Sequence, residues 1–369
     1  MKIVINTAHQ RFGGAIQVAL SFIKECQNFP ENQYYVWIGQ GVGKTLDPED
    51  FPENFHFQNF DFGVIKFKTI KKIQKTLRPL EKKIKPDVLI STSGPTYYYS
   101  EAPQIIGFNL GLYIYPESPF VKKLSFKEKL KLTLKKKAHF YYFKRDATAF
   151  VTQTTDVNQR VRKALKTNKV YTVTNTASNY YKDWQAYPMK LPQEPMGVFR
   201  FICISSYYEH KNLELIPKVL EELKQKQITN VEFVLTLKNE DFKSKIGHHQ
   251  NIKNVGPIPP RECPSLYNEC DALFLPTLAE CFSASYPEAM IMEKPIITTD
   301  LGFAKSICGK AALYFAPKNA KAAADQVEEL IKNLDLQRKL VNRGKEQLKI
   351  FDSPQERALK YIDLCEKLC

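Results

Sequence analysis

Asp271-Ala-Leu-Phe-Leu-Pro-Thr-Leu-Ala-Glu-Cys-Phe-Ser-Ala-Ser-Tyr-Pro-Glu-Ala-Met290 is the stretch on which the reading of this chain turns. It opens as a short apolar run, Asp271 to Leu275, of the kind that forms a buried strand. Glu280 then falls in the loop after that strand. Pro287 suits the first turn of a helix, where its missing N–H costs nothing, so Glu288 sits within that turn. Between the two glutamates, Phe282-Ser-Ala-Ser285 leads into the helix N-terminus with mostly small residues. Free backbone N–H groups and the helix dipole make such a place an anion site. Open parallel sheets bind ligands at the carboxyl ends of their strands, which is where this loop lies. Two glutamates eight residues apart mean little alone; the strand, loop and helix around them give the spacing its weight.

Reading outward, strand-like and helical segments alternate. Ile3 to Asn6, Tyr34 to Ile38, Asp87 to Ser91, Gln104 to Asn109, Ala147 to Thr152 and Val170 to Thr174 read as strands, and Ile16 to Glu25 as a helix. Pro188, Pro192, Pro195 and Gly197 then cluster in an aperiodic stretch that reads as a linker. Alternation resumes with strands at Phe199 to Ser205, Val231 to Leu237, Ala272 to Leu275 and Pro295 to Thr299. Late helices follow at Ala320 to Asn333, Leu336 to Ile350 and Pro354 onward. Alternation of this kind predicts an α/β fold with parallel sheets. The 369 residues suit two Rossmann-like domains. The expected division is 1–181, a linker at 182–198, 199–350, and a helix at 351–369 that crosses back to the first domain.

The stretch around Glu280 and Glu288 resembles the E-x7-E element of glycosyltransferase family 4, whose members have the GT-B fold with a cleft between two domains. Asn254-Val-Gly-Pro-Ile-Pro, Leu266-Tyr-Asn-Glu-Cys-Asp-Ala-Leu-Phe-Leu-Pro276 and Glu293-Lys-Pro-Ile-Ile-Thr-Thr-Asp300 resemble its neighbouring elements. The resemblance implies transfer of a sugar from a UDP- or GDP-linked donor with retained anomeric configuration and no required metal. It assigns Glu280 to the donor sugar and Glu288 to the ribose. Phe282, Ser283 and Ala284 would line the diphosphate.

Lys211 follows a strand at the mouth of the same sheet, where a lysine can neutralise a diphosphate. The family also carries an arginine a few residues earlier; Ser205 and Ser206 stand there instead. Phe12-Gly-Gly-Ala15 resembles the glycine turn of the family's first domain, which makes Gly13 and Gly14 donor-facing candidates. Near residue 109 the family often has a histidine beside the reacting carbon, whereas this chain has Asn109. Asparagine can hydrogen-bond a sugar but cannot shuttle a proton. By position, His9, His139 and His210 are the alternatives. Asn175 stands where the family has a proline-asparagine-glycine turn. Gly302-Phe-Ala-Lys-Ser-Ile-Cys308, after what reads as the final strand, lacks the family's acidic residue.

Net charge is +15, and it is concentrated. Residues 66–85 hold nine basic residues against one acidic, and residues 121–145 hold ten against one. In the second segment Phe126, Leu130, Leu134, Ala138 and Tyr142 recur every four residues among lysines. That pattern suits an amphipathic helix at an anionic bilayer. The expectation is peripheral attachment to the inner face of the cell membrane, with a glycan or polyprenyl-linked acceptor of bacterial capsule or lipopolysaccharide. An ordinary surface helix is the alternative. No nucleic-acid-binding motif is present. The N-terminus enters a strand-like run without a signal-peptide pattern, which predicts a cytoplasmic location. The eight cysteines form no C-x-x-C pair and read as reduced thiols, without zinc spacing. A non-hydrolysing nucleotide-sugar epimerase and a non-enzymatic anionic-lipid-binding protein remain as alternative functions.

Overall fold

The computed structural model describes residues 1–11, 13–182, 184–192 and 197–369. Phe12 of the glycine turn, and residues 183 and 193–196 of the expected linker, lie outside the described residues. The chain forms two compact units. One comprises Met1–Ile114, Leu124–Asn175 and Asp352–Cys369; the other comprises Tyr115–Lys123 and Thr176–Phe351.

The first unit is built on strands β1 (Lys2–Asn6), β2 (Gln33–Gly39), β3 (Phe55–Phe60), β4 (Val88–Ser91), β5 (Gln104–Gly107), β6 (Ala149–Thr152) and β7 (Val170–Thr172). Their order is β3-β2-β1-β4-β5-β6-β7, and every pairing is parallel. A sheet covered on both faces needs strands apolar on both sides. The central β1 meets that need, with Ile3, Val4 and Ile5 all fully buried. Sequence reading missed β3. Phe55-His-Phe-Gln-Asn-Phe60 is an edge strand whose alternate residues reach solvent, and its polar residues blunt the strand signal.

The helix Pro354–Glu366 belongs to this unit. A capping box between Ser353 and Glu356 starts it, with proline at the first turn. Its Ala358, Tyr361, Ile362 and Cys365 enter the core beside the helix Gly14–Glu25, where Tyr361 meets Phe22 at 5.0 Å. The two basic segments are helices, Phe67–Ile84 and Phe126–Asp146. In the second, Phe126, Leu130 and Leu134 are 81, 50 and 58% exposed, and Phe143 and Asp146 are the buried residues. The first three residues of the apolar row read from sequence therefore face solvent, whereas its last, Tyr142, packs on the unit beside Tyr97.

The second unit carries β8 (Phe199–Cys203), β9 (Val231–Leu235), β10 (Ile252–Asn254), β11 (Ala272–Leu275), β12 (Ile296–Thr299) and β13 (Ala312–Phe315). The order is β10-β9-β8-β11-β12-β13, again wholly parallel. The four-residue β13 was not legible in the sequence, so Pro295 to Thr299 does not close the sheet as expected. A strand of four residues with two half-exposed positions gives too little pattern to find. Both units are doubly wound α/β sheets of the Rossmann type, the GT-B class of architecture.

Candidate functional site

Glu280 lies in the loop after β11, and that loop is fixed from both sides. Thr298 Oγ1 donates to the Leu275 carbonyl at 2.8 Å, and Thr299 Oγ1 to that of Thr277 at 2.7 Å, both from β12. From the loop after β8, the His210 carbonyl accepts the Leu278 N–H at 2.7 Å. Asn212 Nδ2 donates to Pro276 O at 3.3 Å. These ties bring Lys211 onto Glu280, where its ammonium forms a salt bridge with Oε1. Thr277 Oγ1 donates to the same oxygen at 3.1 Å. Both charged side chains are nearly withdrawn from solvent, at 15 and 12% exposure. A buried pair of this kind holds its geometry because either charge alone would be costly. His210 beside it is held neutral: burial lowers its pKa more than Glu280 raises it.

Glu288 sits in the first turn of the helix Ser285–Ile291. Burial pushes its carboxyl up to about 7, against hydrogen bonds from Tyr181 and Tyr267 that pull it down. Tyr267 reaches the Ser285 carbonyl at 3.2 Å and Glu288 Oε2 at 3.5 Å. Phe282 packs edge-on against Phe351, with centroids 5.9 Å apart. Ser283 is buried, and exposed Ala284 caps the helix. The second unit thus brings Lys211, Glu280, Glu288 and residues 282–284 to the carboxyl edge of one sheet.

A signal that sequence reading missed is the segment Tyr115–Lys123, which packs within the second unit along that same edge. Ser118 Oγ donates to the Leu278 carbonyl at 2.7 Å, two residues from Glu280. Tyr115 meets Phe303 at 5.9 Å and Phe120 meets His210 at 6.1 Å. Lys318, with φ 64, donates to the Pro119 carbonyl at 3.1 Å. Nothing local in Tyr115-Pro-Glu-Ser-Pro-Phe120 distinguishes it from a solvent loop, because the contacts that seat it on the second unit are long-range.

The remaining candidates lie in the first unit. Gly13, with φ 90, precedes the helix that Gly14 begins, and a Cβ at Gly14 would meet nothing. Asn109 Nδ2 donates to Ser93 Oγ at 2.8 Å. His9 Nε2 donates to the Ser93 carbonyl at 2.8 Å, so Ser93 joins the two. Burial lowers the His9 pKa to about 4, and that of His139, which lies between Tyr97 and Tyr113, also to about 4. Neither imidazole carries charge at neutral pH. Among the described residues, no helix is long and apolar enough to cross a membrane, and no group of three metal-ligating side chains is found.

The fold is similar to that of sucrose-phosphate synthase from Thermosynechococcus elongatus, with a TM-score of 0.74, 13% identity, and 100 and 99% of the two chains covered. HepE of Anabaena in complex with UDP and glucose matches at 0.69 and 13%, covering 100 and 99%. WaaG, a glycosyltransferase involved in lipopolysaccharide biosynthesis, matches at 0.69 and 13%, covering 99% of each chain. Among curated proteins none matches. Two parallel Rossmann-like sheets with these neighbours define a fold of the GT-B class. Residues 190–347 match the family Glycosyl transferases group 1, so the chain is a nucleotide-sugar-dependent glycosyltransferase carrying that family's domain.

Proposed function

We propose that this enzyme transfers a sugar from a UDP- or GDP-linked donor, with retention, to a glycan or lipid-linked acceptor of a bacterial surface polysaccharide. The observation that carries the donor assignment is the Lys211–Glu280 pair beside the Ser285–Ile291 helix. Lys211 is the cation for the diphosphate, and the N–H groups of 282–284 share its charge. Glu280 accepts from the sugar hydroxyls and Glu288 from the ribose. In the first unit, which takes the acceptor, Gly13 and Gly14 serve the donor and Asn109 hydrogen-bonds a sugar near the reacting carbon.

The neighbours' names support this pathway: one is a lipopolysaccharide glycosyltransferase and another binds UDP and glucose. The exposed row Phe126, Leu130 and Leu134 among lysines supports contact with an anionic membrane. On this reading the enzyme works at the inner face of the cell membrane. Thermal unfolding with UDP, GDP, CMP and dTDP tests the donor site. A nucleotide at ~100 times its dissociation constant adds about 2.7 kcal/mol. A shift with UDP or GDP that Glu288→Ala abolishes is the expected result; no shift with any of the four overturns the donor assignment.

A further inference from the structure

At the carboxyl edge of the first sheet, polar side chains are buried without partners. Asn6 Nδ2, His9 Nδ1, both amide atoms of Gln10, Thr92 Oγ1 and Gln153 Oε1 have no hydrogen bond among the described residues. Asn6, Gln10, Thr92 and Gln153 are only 1 to 5% exposed. They sit at or just beyond the ends of β1, β4 and β6, which with β5 stand in the order β1-β4-β5-β6. An unpaired buried polar group costs roughly 1–3 kcal/mol, so five residues of this kind at one edge need an explanation. In open α/β sheets this edge is where ligands bind.

The chemistry of the edge is selective. Residues 6–10, 91–94, 107–110 and 152–154 contain no Lys, Arg, Asp or Glu. Their one titratable ring, His9, is held neutral by burial. Because His9 Nε2 donates to the Ser93 carbonyl, Nδ1 is the bare nitrogen, able to accept from a hydroxyl. The amides and hydroxyls of Asn6, Gln10, Thr92 and Gln153 offer both donors and acceptors. Gly107 keeps the edge tight: a Cβ there would stand 2.0 Å from the Thr92 carbonyl. These segments offer a phosphate no cation, and Arg11, next in the chain, is turned to the Gln40 amide oxygen; a sugar ring presents hydroxyls that both donate and accept.

We propose that these groups form a saccharide subsite, so that the acceptor enters the first unit through an uncharged sugar residue and not through a phosphate. This rests on the acceptor side lying in the first unit. It narrows the acceptor class to a glycan end, with any lipid-linked phosphate held elsewhere.

Saturation-transfer NMR with the methyl glycosides of glucose, galactose, N-acetylglucosamine and rhamnose tests it, beside inorganic phosphate and glycerol phosphate. Thr92→Val and Gln10→Met remove polar atoms at nearly constant volume, and Thr92→Ser restores the hydroxyl; thermal melts report whether each folds. At least one glycoside should bind the wild type. Both variants should weaken that binding at least fivefold, and Thr92→Ser should recover it. Nucleotide affinity should stay within twofold. No glycoside binding, binding unchanged in folded variants, or displacement of the glycoside by phosphate or glycerol phosphate overturns the subsite. If no nucleotide binds while the glycoside does, the donor assignment fails and the subsite stands.

Discussion

The Lys211 ammonium and the Glu280 carboxylate form a salt bridge between loops that leave the second sheet at adjacent strands, β8 and β11. The pair joins the group assigned to the diphosphate to the group assigned to the donor sugar. Replacing either therefore separates binding from chemistry. Glu280→Gln should lower the transfer rate by about 10²–10³-fold, the scale of losing one oriented electrostatic contact, while nucleotide affinity changes less than about threefold. Lys211→Ala should instead weaken nucleotide binding by about tenfold or more, the loss of one charge-assisted contact. Calorimetric titration and initial rates check both.

Glu288 gives the site a pH dependence. Burial holds its carboxyl up to about 7, so in the free enzyme it takes up a proton as pH falls through that value. A protonated carboxyl loses acceptor capacity for the ribose. Nucleotide affinity should rise between pH 6 and pH 8, and the profile should flatten in Glu288→Gln.

The same shift sets the sign of a stability effect. The folded value lies above the ordinary carboxyl value of 4.5. Its stabilising contribution is therefore full below that ordinary value and is lost as pH rises to about 7. Glu288→Gln should raise the melting temperature at pH 8 and change it little at pH 4, measured by calorimetry without nucleotide.

Ser118 ties the Tyr115–Lys123 segment to the loop that carries Glu280. Ser118→Ala removes its bond to the Leu278 carbonyl and should cost about 1 kcal/mol of stability, the net worth of one such bond. Because Leu278 precedes Glu280 by two residues, kcat should fall while the donor KM changes little. Ser118→Thr should restore both. Thermal unfolding and steady-state kinetics distinguish these outcomes from a purely structural role, which would lower stability alone.

Leu130 and Leu134 stand in solvent among the lysines of the Phe126–Asp146 helix. The wild type should float with phosphatidylglycerol vesicles at low salt and release as salt screens the lysines. Leu130→Asp with Leu134→Asp should abolish flotation and leave transfer to a water-soluble acceptor within twofold. Flotation unchanged by the pair would make this an ordinary surface helix.

The sequence by itself determined the class of fold and where one half of the candidate site would fall. Buried parallel strands such as Ile3-Val-Ile5 and Ala272-Leu-Phe-Leu275 are written in contiguous apolar residues. The loop-to-helix step from Glu280 to Glu288 is local, so spacing and a proline were enough to read it. Local pattern was too weak for β3, which is polar and at an edge, and for β13, which has four residues. The tertiary structure alone decided which distant groups meet. Lys211 and Glu280 are 69 residues apart, and Ser118 and Leu278 are 160 apart. Nor does any local pattern distinguish Asn6, Gln10, Thr92 and Gln153 as a group. Polar residues at strand ends look alike in sequence, and only strand order brings these to one edge and removes their partners.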